Sequence, residues 1–358
     1  MCELVKTIFL IGERGKTVLI YGLLRKFSSE GLRVGYFKPI SKARYRLPSM
    51  TSYVDPDVIT LKQALNLEDN LEDMNPITIT RSILNFKNNV ESLKKRIEEA
   101  YSRIASGKDV ILAESYPNLE IMTSIGFSLP QLTKMLNAKT VFVLSIKERD
   151  VVDEVVDKLV LYNCYFEYHG AKIDGVIVNN VPIYYSERVE DVIVPEIGRL
   201  GFKVYGVIKE RSRLTAPTVS DIVEALNAEI LENRDKLNNI VEDILVGAMT
   251  PTAALRWLRR AVNAAIITGG DRADLIITAL ETKPSVIILT GGLYPDISVL
   301  VKARETGTPI LLVPYDTYTT VEKLREVQFI VTPSSLKAKE SEILEVIERE
   351  VMWKELLQ

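Results

Sequence analysis

Short, continuous apolar runs recur along the chain, separated by longer segments with helical spacing. The runs are Thr7–Ile11, Val34–Phe37, Asp109–Glu114, Lys139–Ile146, Ile173–Val181 and Lys203–Ile208, then Ala264–Thr268, Val286–Thr290 and Ile310–Val313. Between them, Ile20, Leu23, Leu24 and Phe27 mark one helix face, and Val90, Leu93, Ile97, Tyr101 and Ile104 another. The charges from Lys94 to Glu99 fall on the opposite, solvated face of that second helix. Continuous apolar strands alternating with helices predict an α/β fold with parallel sheets covered on both faces. Such units connect with a right-handed crossover.

One phrase occurs twice in the second half. Ala264–Gly270 and Val286–Gly292 each end in Thr-Gly-Gly, with a helical segment holding Leu275, Ile276, Ala279 and Leu280 between them. Thr268, Gly269 and Gly270 should therefore end one parallel strand, and Thr290, Gly291 and Gly292 its neighbour, with the two threonines at equivalent places. The glycines would allow positive φ and close backbone approach, at the sheet edge where open α/β folds bind ligands. Asp271 is placed to cap the next helix. Arg272 becomes an exposed cation available to a phosphate, a carboxylate or a second subunit. A plain tight turn accounts equally well for either copy alone.

These residues resemble the DRTGG domain found in phosphotransacetylase-family proteins and some regulated pyrophosphatases. The match runs through Val246–Pro251, Ile267–Asp274, Leu289–Pro295 and Val313–Thr317 to Thr320-Val321-Glu322. The resemblance implies a regulatory or ligand-sensing module that self-associates, hence a homo-oligomer, with a dimer as the expected form. It implies a small metabolite or nucleotide as the ligand.

The first half carries Gly12-Glu13-Arg14-Gly15-Lys16-Thr17 between a strand and a helix. A glycine turn with Lys-Thr in that place can hold phosphate on backbone N–H groups, with Lys16 neutralising charge and Thr17 on Mg²⁺. The full spacing would put the first glycine at Leu10, so Gly12 serves only in a shortened loop. The alternative is a plain strand–helix connection with Lys16 in solvent. Lys38, in Lys38-Pro39-Ile40, gives this half a resemblance to dethiobiotin synthetase, whose lysine after the second strand faces the phosphate loop. Asp57, in Asp55-Pro56-Asp57, is read as the cap of a helix from Val58 to Asn66. Glu114 ends its strand where P-loop proteins place an acid for Mg²⁺ and water; capping is the other reading. Ser115-Tyr116-Pro117-Asn118 follow where dethiobiotin synthetase has glycines. The resemblance also makes Asn180, with Asn179 beside it, a contact to the nucleotide base, although an asparagine turn explains both. The implied cofactor is ATP or another nucleotide with Mg²⁺, on Gly12, Gly15, Lys16, Thr17, Lys38, Glu114, Asn179 and Asn180, with Thr17 and Glu114 as metal ligands.

Composition narrows the rest. A net charge of −3 argues against nucleic acid and anionic membrane as partners. With Cys2, Cys164 and the single His169, no disulfide framework, zinc site or histidine triad is expected, and a cytoplasmic setting is simplest. Arg213–Val219 matches the join between domains in phosphotransacetylase-like proteins. The expected divisions are a P-loop domain at 1–213, a smaller α/β DRTGG domain at 214–333, and a C-terminal helix at 334–358 with Ile343, Leu344, Ile347 and Val351 as its stripe. That family carries its catalytic domain after DRTGG, and Gln358 ends this sequence, so acetyl transfer is not expected. The leading reading is a regulatory or nucleotide-sensing protein without catalytic competence. The alternatives are an ATP-dependent ligase of the dethiobiotin synthetase or cobyrinate diamide synthase type, and a scaffold that only dimerises.

Overall fold

The computed structural model describes residues 5–12, 15–42, 54–80, 82–146, 153–327 and 331–358. Glu13 and Arg14 of the loop and Cys2 lie outside the described residues. The chain forms two compact units, residues 1–210 with 340–358, and residues 211–339.

In the first unit, the described residues include a six-stranded parallel sheet. Its strands are β1 (Lys6–Gly12), β2 (Val34–Phe37), β5 (Val110–Glu114), β6 (Lys139–Ser145), β7 (Gly175–Val181) and β8 (Lys203–Lys209), in the order β2-β5-β1-β6-β7-β8. Two further strands, β3 (Ile40–Lys42) and β4 (Ile77–Ile79), pair separately, also in parallel. Phe9, Leu10 and Ile11 on β1 are fully buried because helices cover both faces of a central strand. The chain leaves β1 in one direction for β2 and later returns to its other side for β6, so β1 marks a topological switch point. Leu10 pairs with Glu114, Gly12 with Val143, and Ser145 with Asn179, which aligns these carboxyl ends.

Helix α1 (Lys16–Ser29) follows the loop, and the last segment of the chain packs on it. A Cβ at Gly22 would lie 2.7 Å from both Ile343 and Ile347 of the helix Glu340–Glu350, so glycine is what lets the two helices approach. Tyr21 and Arg25 bond Glu340, and Met352 N–H donates to Tyr205 on β8 at 2.6 Å. The expected terminal helix is three pieces, Pro333–Ala338 in the second unit and Glu340–Glu350 and Trp353–Leu356 in the first.

Among the described residues, the second unit holds a five-stranded sheet. Its strands are β9 (Glu229–Glu232), β10 (Asp243–Val246), β11 (Ala264–Gly269), β12 (Val286–Thr290) and β13 (Ile310–Leu312), in the order β10-β11-β12-β13-β9. Strand β9 runs antiparallel to β13, and the rest are parallel. Ile266, Ile287 and Leu289 join one core under the helices Pro251–Leu258, Ala273–Leu280 and Ile297–Thr306. Ala265, Ile267 and Ile288 alternate into a second core with Val219, Ile222 and Leu324. Thr218 caps Val219–Leu226 in a capping box with Asp221. No helix among the described residues is long and apolar enough to cross a membrane.

Candidate functional site

At the carboxyl ends of β1 and β5, five charged side chains meet, four of them buried and Asp57 at the rim with its side chain 37% exposed. Gly12 ends β1 at φ 140°, and a Cβ there would lie 2.3 Å from the Val143 carbonyl oxygen, so only glycine fits. Gly15 opens α1 from the left-handed region at φ 80°. Lys16, the first residue of the helix, turns inward. It is 2% exposed, donates to the Gly12 carbonyl and lies 3.9 Å from Glu114. This excludes the reading of Lys16 as a solvated connector residue.

Lys38 reaches the same place from the end of β2. Its backbone is held by N–H donation to Met74 and by the Asn75 carboxamide on its carbonyl, both within 2.8 Å. Its Nζ donates to Asp55 at 3.0 Å and Asp57 at 2.9 Å and lies 3.7 Å from Glu114. Glu114 accepts a hydrogen bond from buried Tyr36 at 2.7 Å. Its carboxylate faces two lysines and a phenol, so it is not a helix cap.

Asp57 corrects the sequence reading. Pro56 takes the first position of helix α2 (Pro56–Leu65), which makes Asp55 the N-cap, accepting from Asp57 N–H at 2.9 Å. The Asp57 side chain is left for Lys38, and the Thr17 hydroxyl helps to hold its carboxyl low. Sequence reasoning thus misses Asp57, Asp55 and Tyr36 as members of the cluster. The preference for proline just inside a helix is the signal that frees Asp57.

Burial and mutual charge set the protonation states. Burial pulls the Lys16 ammonium down, with Glu114 opposing. Burial acts the same way on Lys38, but Glu114, Asp57 and Asp55 outweigh it and raise its pKa. Burial pushes Glu114 up against the pull of Lys38 and Lys16. Asp55 is also raised by burial, whereas Asp57, though desolvated, is held low by Lys38, Lys16 and Thr17. Thr17, Asp57 and Glu114 carry oxygen atoms of the kind Mg²⁺ takes, since that ion uses one or two carboxylates and completes its shell with water and phosphate. Among the described residues, no group of three His, Cys, Asp or Glu side chains is gathered for a metal.

The asparagines separate. A Cβ at Gly15 would lie 2.3 Å from the Asn179 amide nitrogen, so the Asn179 side chain lies against the end of the loop. Asn180 has φ 57°, the left-handed conformation expected of an asparagine turn.

In the second unit, β11 and β12 are adjacent and parallel, but the register pairs Gly269 with Thr290 and Thr268 with Leu289. The two threonines are therefore one step out of register, not equivalent. The two glycine pairs also do different work. Gly291 and Gly292 have φ 78° and 65°, and their N–H groups donate to Tyr315 and Val313. Gly270 has no positive φ; a Cβ there would lie 1.8 Å from the Leu293 carbonyl oxygen. Asp271 does not cap the next helix: Arg272 holds the N-cap position, without a side-chain cap bond. The Arg272 guanidinium is engaged, donating to the Met249 carbonyl at 2.8 Å with Asp274 at 3.7 Å.

Comparison with known proteins fits these two units. A family model described as an AAA domain matches residues 6–218, and one described as a DRTGG domain matches residues 221–327. The phosphate acetyltransferase of Synechocystis sp. is 25% identical over 331 residues, covering 89% of this chain and 46% of that protein. That of Nitratidesulfovibrio vulgaris is 24% identical, covering 96% and 49%, and that of Pseudomonas putida 27%, covering 87% and 45%. The chain spans about half the length of the curated relatives it matches. Among solved structures, the CBS and DRTGG domains of the regulatory region of Clostridium perfringens pyrophosphatase, complexed with the activator diadenosine tetraphosphate, match at 18% identity. That match covers 46% of this chain and 77% of the other, with a TM-score of 0.30. On the extent of the first match, the chain belongs to the AAA-domain family, as a P-loop domain of dethiobiotin-synthetase-like type followed by a DRTGG domain.

Proposed function

We propose that the first unit binds a nucleotide with Mg²⁺ and that the protein acts as a regulatory or nucleotide-sensing component. The observation that carries this reading is the convergence of Lys16, Thr17, Lys38, Asp57 and Glu114 at the switch point of the sheet. Lys16 and Lys38 would neutralise phosphate, and the α1 amino terminus would direct N–H groups at it. Thr17, Asp57 and Glu114 would hold Mg²⁺, which would neutralise phosphate charge and orient it. Asn179, against Gly15, is the nearer of the two asparagines to the loop and the one assigned to the ligand. The regulatory part of the reading rests on the short loop between Gly12 and Gly15 and on Ser115–Asn118 in place of glycines. The DRTGG unit would serve as a second ligand or self-association module.

The intact lysine–carboxylate cluster favours one other reading, an ATP-dependent ligase, because the same groups can stabilise a transferring phosphoryl group. Steady-state ATP turnover separates the two. The regulatory reading expects negligible turnover, and a rate near ~10 s⁻¹, typical of enzymes, that is lost in Glu114→Gln would establish the ligase. Thermal-shift measurements against MgATP, MgADP and AMP test the binding itself, since a ligand at about one hundred times its Kd adds about 2.7 kcal/mol of stability.

A further inference from the structure

Asp55 is the surplus charge in this cluster, and the role assigned to it rests on the cluster being a nucleotide site. Two ammonium groups, Lys16 and Lys38, face three carboxylates, Asp55, Asp57 and Glu114. If Asp57 and Glu114 serve a divalent cation, that cation matches their two charges and leaves both lysines for phosphate. Asp55 has no such counterpart. Its capping bond to the Asp57 N–H would be made equally well by a neutral asparagine. Its carboxylate nonetheless sits 3.0 Å from the Lys38 ammonium, in the protein interior.

An ammonium group has three protons to donate. Asp55 and Asp57 each take one from Lys38, and Glu114 lies 3.7 Å away. Lys38 is 2% exposed, so water does not supply its remaining contacts in quantity. One donor of this ammonium is left facing Glu114 at 3.7 Å, and a phosphate oxygen that draws the ammonium toward itself competes with the carboxylates already paired to it. Asp57 and Glu114 are the carboxylates assigned to the divalent cation, and Glu114 is also held by the Tyr36 hydroxyl at 2.7 Å. Asp55 is the carboxylate not assigned to that cation, and its Oδ1, which accepts from both Lys38 and the Asp57 N–H, keeps the second bond when Lys38 leaves.

We infer that Asp55 is an internal competitor for Lys38, a carboxylate that occupies the cation until an anionic ligand displaces it. The apparent affinity for phosphate is then reduced by the fraction of molecules in which Lys38 is released. Nucleotide binding is coupled to the opening of one ion pair at the start of α2, and α2 packs on α1.

The test is calorimetric titration of the full chain with MgATP and, separately, with inorganic triphosphate and Mg²⁺. Asp55→Asn removes the charge and keeps the cap; Asp55→Ser does the same with a smaller side chain and serves if the asparagine variant fails to fold. The expected result is a roughly tenfold lower Kd for both ligands, the factor set by release of Lys38 in about a tenth of wild-type molecules. Wild-type binding with an unchanged or higher Kd in the variants overturns the competitor role and leaves the nucleotide site standing. No binding of either ligand to wild type or variants overturns both.

Discussion

Replacing Lys38 with methionine keeps most of the buried volume and removes the cation that three carboxylates face at 3.0, 2.9 and 3.7 Å. Lys16, 3.9 Å from Glu114, is the remaining lysine of the cluster. Breaking a buried pair by removing one partner costs about 3–5 kcal/mol, because a charge is left uncompensated. The raised Asp55 and Glu114 can take up a proton and relieve part of this, which puts the expectation near the low end, about 3 kcal/mol. For a unit of this size that corresponds to a fall in Tm of roughly 6–12 °C. The two tryptophans provide the assay: Trp353, 6% exposed, belongs to the first unit, and Trp257, 53% exposed, to the second. In a Trp257→Phe background, urea titration followed by Trp353 emission reports the first unit alone. A midpoint shift at unchanged slope is a change in stability. A loss below about 1 kcal/mol, the range of surface pairs, would refute the buried network and return Lys38 to solvent.

The glycine turns of the second unit give a paired expectation. Gly270→Ala drives a Cβ into the Leu293 carbonyl and should cost about 3 kcal/mol or more, the upper range of overpacking. Gly292→Ala meets open space and carries only the left-handed strain of about 1–2 kcal/mol; calorimetric melts giving equal losses would contradict the distinction. Acid stability should depend on Asp109, whose hydrogen bonds from Arg33 hold its pKa down at about 2. Its contribution is fully present above the ordinary carboxylate value of about 3.9 and is lost as the pH falls through about 2. Asp109→Asn should flatten that limb of a stability-versus-pH curve, and an unchanged limb would remove Asp109 as its source.

The strands are legible in the sequence because a parallel sheet buried on both faces demands continuous apolar runs, and each run from Thr7 to Val313 forms one. Lys16, Lys38 and Glu114 are legible as chemistry at strand ends, and they do converge. What the pattern hides is the use of individual side chains. Asp55 and Asp57 are two residues apart and both are acceptable caps; only the position of Pro56 decides between them. Asp271 has the chemistry of a cap, but the turn through Gly269 and Gly270 carries the chain one residue further before the helix begins. The stripe of Ile343 and Ile347 announces a buried face without naming its partner, because Gly22 is distant in sequence and carries no apolar side chain to signal contact. The register of Thr268 and Thr290 is equally hidden, since identical phrases do not fix how two strands slide past each other.

The central claim is that nucleotide phosphate binds where Lys16 is buried. The most direct measurement is calorimetric titration of MgATP into the full chain and into Lys16→Met, with matching melts to establish that both are folded. Saturable binding by the wild type and at least a tenfold loss, about 1.4 kcal/mol, in Lys16→Met is the predicted result. Equal affinity in the two proteins would contradict it.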